Sequence, residues 1–219
     1  MVKKIVLYGA GGHAKAVADT VEKQGVYAIT GLLDDNRPIG SQVYGYEIMG
    51  GLDWLTRHGE ELDGVIVAIG DNWTRAALAE SIRKAAPGLP FATAIHPSAQ
   101  LARGSVIGDG SVIMAGAAVG SDSRLGEHTV MYPLTSLDHD SRAGACTSFA
   151  PKAVTGGGVL IGDYTAIAIG ATLAHSVSIG EHCVIGAGAT VLGNIPSHTV
   201  AYGTPARPVR ERSAGERYL

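Results

Sequence analysis

Apolar residues recur every six positions through the second half of the chain. From Ile95, a step of six reaches seventeen positions up to Val191 without an insertion, and fifteen of them are sizeable apolar residues. Four residues after each lies a second series, in which nearly every residue is small, such as Ala99 and Ser105. A period of six fits neither an α-helix nor a long alternating strand. It predicts a solenoid of short strands and corners, with the apolar residue inside and successive strands ~4.8 Å apart.

The first ninety residues have a different pattern. Buried strands are predicted over 4–8, 29–33 and 64–69, and a helix is predicted over 14–24. A second helix is predicted through Arg83, and either Asn72 or Thr74 could cap its N-terminus. Strands that alternate with helices predict a parallel sheet, here of about four strands. We therefore expect an α/β domain over 1–92, close to one half of a doubly wound fold, and a solenoid domain with a C-terminal tail over 93–219.

Composition narrows the class of protein. Glycine accounts for 31 of 219 residues, about twice the usual ~7%. Seven glycines directly follow the apolar residue of a repeat, where we expect them to supply corners with unusual backbone angles. The formal net charge of −3 argues against a nucleic acid or membrane surface bound through bulk charge. The spacing of Cys146 and Cys183 predicts no metal site. We expect a cytoplasmic protein, because we find neither a signal peptide nor a membrane-spanning run.

A glycine-rich turn follows the first predicted strand. Gly9 to Ala14 fits G-x-G-x-x-A at a strand-to-helix junction, where backbone N–H groups bind phosphate. Asp34 and Asp35 come about twenty residues later, where a carboxylate can accept from a ribose hydroxyl. A nucleotide or nucleotide sugar suits a single half of the fold better than a redox dinucleotide does. A tight turn that binds nothing is the alternative.

The six-residue period resembles that of the hexapeptide-repeat acyltransferases. The resemblance implies a left-handed parallel β-helix in which eighteen residues make one triangular coil, so that seventeen repeats give between five and six coils. It also implies a homotrimer with active sites between neighbouring β-helices.

Eight histidines are present, and His139 stands out among them. It lies between Asp138 and Asp140, and a neighbouring carboxylate orients an imidazole and raises its basicity. With eighteen residues per coil, His139, Gly157 and His175 fall on one edge of the prism. A base beside a backbone N–H donor is what acyl transfer to an amine or hydroxyl requires. A structural His–Asp corner is the alternative. We expect His128 and His182, which share one repeat position, to mark solvated corners.

Six motifs in a fixed order make the resemblance more specific. They are YGAGGHA (8–14), DD (34–35), AIGDN (68–72), IHP (95–97), DHD (138–140) and GTPAR (203–207). Together they are similar to the family of sialic acid O-acetyltransferases and bacillosamine and perosamine N-acetyltransferases. The similarity spans nearly the whole chain, apart from residues 36–63 and the tail after Arg207.

The resemblance implies a role for each matching residue. His139 would be the catalytic base and Asp140 the acid that raises its basicity. Acetyl-CoA would be the cosubstrate, with Gly157 as backbone donor to the acetyl carbonyl, and no metal would be needed. Further cofactor contacts would come from Ser148, Ile169 and Ala187. Nucleotide-sugar contacts would come from Gly11, Gly12, His13, Asp34, Asp35 and Gly70.

Three positions depart from the family pattern. Ser148 stands where the family often has a second histidine near the thioester, and a hydroxyl is not a comparable acid or base. Tyr132 and Pro133 stand where the family often has Asn and Thr. These departures concern the acceptor geometry and the identity of the acyl group, and they leave the His139–Asp140 pair intact.

Three functions compete. We favour an N-acetyltransferase acting on a nucleotide-linked amino sugar, of the 4-amino-4,6-dideoxy type, by direct transfer. The alternatives are O-acetylation of a sugar such as sialic acid and a non-catalytic trimeric scaffold. A nucleotide-binding domain favours the first over the second, because free sialic acid carries no nucleotide.

Overall fold

The structure is a computed structural model that describes residues 2–218. Its N-terminal part is a five-stranded sheet with the order β3-β4-β2-β1-β5, parallel except for the edge strand β3. The strands are β1 (Lys3–Tyr8), β2 (Tyr27–Leu33), β3 (Gln42–Val43), β4 (Tyr46–Gly50) and β5 (Gly64–Val67). The helices are α1 (Gly12–Gln24), α2 (Leu52–His58) and α3 (Asn72–Ala85), with a short 3-10 helix over Gly59–Glu61. Strand β1 and the edge strand β5 carry buried apolar residues on both faces because helices cover both sides of the sheet.

Seventeen two-residue strands, β6 to β22, then build a left-handed parallel β-helix with three faces. The first face holds β6 (Ala94–Ile95), β9 (Val112–Ile113), β12 (Val130–Met131), β15 (Ser148–Phe149), β18 (Ala166–Ile167) and β21 (Val184–Ile185). The second face holds β7 (Gln100–Leu101), β10 (Ala118–Val119), β13 (Ser136–Leu137), β16 (Val154–Thr155), β19 (Thr172–Leu173) and β22 (Thr190–Val191). The third face holds β8 (Val106–Ile107), β11 (Arg124–Leu125), β14 (Arg142–Ala143), β17 (Leu160–Ile161) and β20 (Ser178–Ile179). A hairpin of β23 (Thr199–Gly203) and β24 (Ala206–Glu211) extends the first face.

The predicted repeat is confirmed in phase and in period. The second residue of every strand from β6 to β22 is the predicted interior residue, and each strand pairs with the strand eighteen residues away, as Val130 does with Ser148. These residues form a single apolar cluster along the prism, although Leu101 in the first coil is exposed. The interior therefore depends on one apolar position per hexapeptide.

The corners differ from the prediction. The third residue after each interior residue has positive φ in fifteen successive repeats, from Gly104 to Gly188, and most of these residues are not glycine. The seven glycines that follow an interior residue have no positive φ. They are required for close packing instead, since a Cβ on Gly108 would lie 2.5 Å from the backbone nitrogen of Glu127 in the next coil. The prediction that these glycines supply unusual backbone angles was wrong.

The α/β part packs against the first face of the β-helix. Val17 of α1 shares one apolar cluster with Val112 and Val130 of β9 and β12. Arg75 of α3 is fully buried between the two parts. Phe91 pairs with Val65 at the edge of the sheet, after which the chain enters the first coil.

Two sequence predictions near this contact were wrong. The side chain that caps α3 belongs to Asp71, which accepts from the N–H of Thr74 at 2.8 Å, while Asn72 turns its amide toward the β-helix. His128 and His182 are buried rather than solvated. The ring of Phe91 lies 4.5 Å from that of His128, and the ring of Trp73 in α3 lies 5.4 Å from that of His182. Packing at the domain contact therefore removes both histidines from water.

Candidate active site

The glycine-rich turn joins β1 to α1 as predicted. Gly9 has φ +120° and lies against β5, where a Cβ would be 2.6 Å from the carbonyl oxygen of Ala68. Gly11 is the N-cap of α1 and supplies no capping side chain, so the first N–H groups of the helix are available to an anion. The Cα atoms of Gly11 and Gly12 face open space. The turn can therefore receive a phosphate group without a side chain in the way.

Asp34 and Asp35 accept hydrogen bonds from residues in and next to this turn. Asp34 accepts from the backbone N–H of Ala10 and of Asn36, each at 2.9 Å. Asp35 accepts from the hydroxyl of Tyr8 at 2.7 Å, and burial together with this contact raises the pKa of the tyrosine. A carboxylate has about four acceptor positions, so both residues keep capacity for a ribose hydroxyl. A cavity of about 260 Å³ between the turn and α3 is lined by both carboxylates.

His13 connects the turn to the β-helix. Its Nδ1 lies 3.0 Å from the hydroxyl of Tyr132, one of the residues that depart from the family pattern. Its Nε2 is buried, and within residues 2–218 it has no hydrogen-bond partner. Burial, with a smaller contribution from Arg75, lowers the pKa of His13 to about 3. His13 is therefore neutral at physiological pH and acts as a hydrogen-bonding group rather than as a cation.

A second cavity, of about 320 Å³, lies between the α/β part and the first face of the β-helix. Four predicted site residues line it, namely Gly70, Ser148, Ile169 and Ala187. Tyr132 and Tyr218 line it as well, and the hydroxyls of Tyr218 and Ser148 are 3.3 Å apart. Sequence reasoning missed Tyr218, because it lies in the tail outside every recognised motif. The lining is mostly apolar, which suits a flexible acyl chain or pantetheine arm.

The His139–Asp140 pair lies on the corner between β13 and β14. Nδ1 of His139 is 2.8 Å from a carboxylate oxygen of Asp140, and Asp138 accepts from the His139 backbone N–H at 2.7 Å. The hydrogen bond to Asp140, and secondarily the charge of Asp138, raise the pKa of His139. With Nδ1–H donated to Asp140, the neutral imidazole presents the lone pair of Nε2. This arrangement is that of an oriented general base.

Gly157 lies between two imidazoles. The ring of His139 lies so close to the Cα of Gly157 that any Cβ there would overlap it. The N–H of Gly157 donates to Nδ1 of His175 at 2.9 Å. The prediction that His139, Gly157 and His175 share one edge is thereby confirmed. The N–H that the resemblance assigns to the acetyl carbonyl is, however, already used in this structure.

The predicted site residues form two groups on one chain. The nucleotide turn, Gly70, Ser148, Ile169 and Ala187 lie at the first face or beside it. His139 lies on the corner between the second and third faces, which is opposite the first face in a triangular prism. A single chain therefore does not bring His139 to the apolar cavity.

Two negative findings apply to the part of the chain that the structure describes. No helix between residues 2 and 218 is long and apolar enough to cross a membrane. No three histidine, cysteine or acidic residues within the same range cluster as metal ligands.

Two domain families match the chain. The PglD N-terminal domain matches residues 4–82, and the bacterial transferase hexapeptide (six repeats) matches residues 149–193. A curated relative, the UDP-N-acetylbacillosamine N-acetyltransferase of Bacillus subtilis (strain 168), is 32% identical over 126 residues, or 52% of this chain. The match spans only 52% of that relative's length.

Solved structures resemble the chain over nearly its full length. A mutant of perosamine N-acetyltransferase from Caulobacter crescentus, in complex with CoA and GDP-perosamine, matches with a TM-score of 0.90 and 31% identity. The match covers 96% of this chain and 99% of that one. The acetyltransferase domain of PglB from Neisseria gonorrhoeae FA1090, in complex with acetyl coenzyme A, matches with a TM-score of 0.88 and 31% identity. That match covers 95% of this chain and 100% of the other.

Proposed function

This chain belongs to the acyltransferase family of UDP-N-acetylbacillosamine N-acetyltransferase and perosamine N-acetyltransferase, and we propose that it transfers acetyl from acetyl-CoA to the amine of a nucleotide-linked amino sugar. The observation that carries the proposal is the His139–Asp140 pair, in which Nε2 is left as a proton acceptor against the glycine of the next coil. Three of the solved structures hold CoA together with GDP-perosamine, and a fourth holds acetyl coenzyme A.

The nucleotide sugar would bind at the glycine-rich turn. Backbone N–H groups at Gly11 and Gly12 would hold the phosphates, and Asp34 or Asp35 would accept from a ribose hydroxyl. Gly70 lines the apolar cavity, and His13 of the turn contacts Tyr132, which lines it as well. The sugar would extend from the turn toward the pantetheine arm, which would lie along Ser148, Ile169 and Ala187.

Transfer would need one base and no covalent enzyme intermediate. The amine nitrogen attacks the thioester carbonyl while Nε2 of His139 takes its proton. Asp140 stabilises the resulting imidazolium, which explains why its contact raises the pKa of His139. The tetrahedral intermediate collapses when the C–S bond breaks, and the thiolate of CoA leaves and takes the proton from Nε2 of His139, which restores the neutral imidazole. The products are the acetamido sugar and CoA.

We further propose a homotrimer in which the His139 corner of one copy faces the apolar cavity of the next. The separation of base and cavity on one chain supports this arrangement. The expected mass is three times the 22.4 kDa of the chain. We expect the enzyme to work in the cytoplasm, where it would meet both acetyl-CoA and nucleotide sugars.

Thiol release from acetyl-CoA tests the reaction. We would measure it with UDP-, dTDP- and GDP-linked 4-amino sugars and with free sialic acid. His139→Asn should lower kcat by about 10²- to 10⁴-fold, the usual contribution of a general base, without changing nucleotide binding. His58→Asn, at an exposed histidine of the α/β part, is the control and should be active. Turnover of sialic acid without turnover of any amino sugar would overturn the proposal.

Complementation tests the shared site. Ala187→Trp should fill the apolar cavity and inactivate the protein, as His139→Asn does. Oligomers mixed from the two variants should regain activity, because some sites would combine an intact base with an intact cavity. Mixed oligomers of trimeric mass that stay inactive would refute the arrangement.

A further inference from the structure

His175 lies one coil beyond Gly157 on the edge that carries the base. Its Nδ1 accepts from the N–H of Gly157 at 2.9 Å. A neutral imidazole that accepts at Nδ1 carries its proton on Nε2. The ring packs over Gly156, where a Cβ would lie 2.7 Å from Nδ1, so the absence of a side chain at this glycine leaves room for the imidazole. His175 is therefore held as an N–H donor at Nε2.

His139 is held in the opposite tautomer. Its Nδ1–H donates to Asp140, and the lone pair of Nε2 is left on the side of Gly157. Two imidazoles thus flank one glycine, and one of them presents an acceptor while the other presents a donor. Acyl transfer needs both, a base for the attacking nitrogen and a donor for the oxygen that becomes negative.

We propose that His175 Nε2–H, and not the backbone N–H of Gly157, is the hydrogen-bond donor to the acetyl carbonyl. This inference rests on the proposed acetyl transfer. As the amine attacks, the C=O electron pair moves onto oxygen, and the neutral His175 stabilises that charge without giving up its proton. The Gly157 N–H contributes indirectly, because its bond to Nδ1 fixes the tautomer and the orientation of the ring.

The presence of serine at position 148, where the family often has histidine, is consistent with His175 as the donor. Where family members often carry a histidine near the thioester, this chain has Ser148, whose hydroxyl pairs with Tyr218. The chain instead has an imidazole at position 175, on the same edge as the base. The proposed donor is thus supplied from a different position of the β-helix.

Two amide substitutions separate the donor role from a structural one. Asn places an amide oxygen near the position of Nδ1, so His175→Asn keeps the contact with Gly157 but has no atom at Nε2. Gln reaches the position of Nε2 with an N–H donor. We expect His175→Asn to lower kcat by about 10²-fold, the effect of losing one oxyanion donor, with KM for both substrates nearly unchanged. His175→Gln should remain within about tenfold of wild type.

The pH profile and the tautomer provide further readouts. Neither substitution should move the acidic limb of the kcat profile, because His139 keeps its contact with Asp140. Wild-type kcat in His175→Asn, or equal losses in the Asn and Gln variants, would overturn the proposal. In ¹⁵N spectra of histidine-labelled protein near pH 8, His175 should be protonated at Nε2, and protonation at Nδ1 would overturn it independently of activity. A wild-type protein that releases no thiol with any amino sugar would instead overturn the proposed function.

Discussion

Arg75 provides the sharpest test of how the two parts of the molecule are held together. The side chain is fully buried and donates five hydrogen bonds, none of them to a carboxylate. Its acceptors are the carbonyl oxygens of Ile69 (3.0 Å), Gly70 (2.9 Å), His128 (2.8 Å) and Thr147 (3.1 Å) and the amide oxygen of Asn72 (2.6 Å). Two of these acceptors belong to the β-helix, and the others belong to the segment that lines the proposed nucleotide site. Arg75→Ala should therefore loosen the domain contact.

The expected loss can be worked out from these contacts. Hydrogen bonds to charged groups contribute about 1.5–3 kcal/mol each, so five would give roughly 7–15 kcal/mol if nothing opposed them. Removal of the guanidinium also removes the cost of burying its charge, so we expect a net loss of about 4 kcal/mol, equivalent to two of the five acceptors left unpaired at about 2 kcal/mol each. A loss of about 4 kcal/mol is nearly a thousandfold in the unfolding equilibrium. For a chain of this size it lowers Tm by roughly 8–16 °C.

Differential scanning calorimetry of Arg75→Ala would measure this loss. Lys84→Ala is the matched control, because Lys84 lies on the same helix and makes an exposed ion pair with Glu80 at 3.3 Å. Such a pair contributes less than about 1 kcal/mol. Hydrogen exchange of α3 amides would locate the loss at the domain contact. An Arg75→Ala protein that melts within about 2 °C of wild type would refute the argument.

Three further predictions concern the base and the cavity. Gly157→Ala should push the imidazole of His139 aside and lower kcat by about 10²-fold with little change in KM. The control is Gly88→Ala, at a glycine that faces open space, and it should match wild type. Equal activity of the two variants would contradict the packing argument. A general base must be neutral to act, and Asp140 raises the pKa of His139, the proposed base. Asp140→Asn should therefore shift the acidic limb of the kcat–pH profile to lower pH, and an unmoved limb would contradict the proposal. Tyr218→Ala should enlarge the apolar cavity and raise the ratio of kcat/KM for butyryl-CoA to kcat/KM for acetyl-CoA by about tenfold. An unchanged ratio would show that Tyr218 does not limit the length of the acyl group.

The fold could be predicted because each level of it depends on a local signal. One apolar residue per hexapeptide determines the interior, and the phase from Ile95 to Val191 needs no long-range information. The family resemblance was correct for the same reason, since its motifs are short and ordered. The left-handed corners had no such signal. Positive φ occurs at Leu134, Cys146 and Lys152 alike, because the coil geometry imposes it on side chains that do not favour it.

The candidate site likewise contains some contacts that the sequence predicts and others that it does not. His139 and Asp140 are neighbours in sequence, so the Asp-His-Asp motif is enough to predict their contact. The hydroxyl of Tyr132 reaches a residue 119 positions away, and that of Tyr218 reaches Ser148 across 70 positions. Contacts of this kind depend on domain docking and on the path of the tail. No spacing rule in a single sequence predicts them.

The pairing of each coil with the next also limits how the distance between the α/β part and His139 can change. Because Val130 pairs with Val112 and Ser148, a residue moves along the β-helix axis only in whole coils of about 4.8 Å. An insertion that is not a multiple of six would turn interior side chains outward, and one of six or twelve residues would move His139 to a different corner of the prism. Adaptation to a longer or shorter sugar would therefore require gain or loss of eighteen residues at once, or changes in the loops of the α/β part. We expect relatives with other acceptors to differ in those loops, while the height of His139 above the docking strands stays constant.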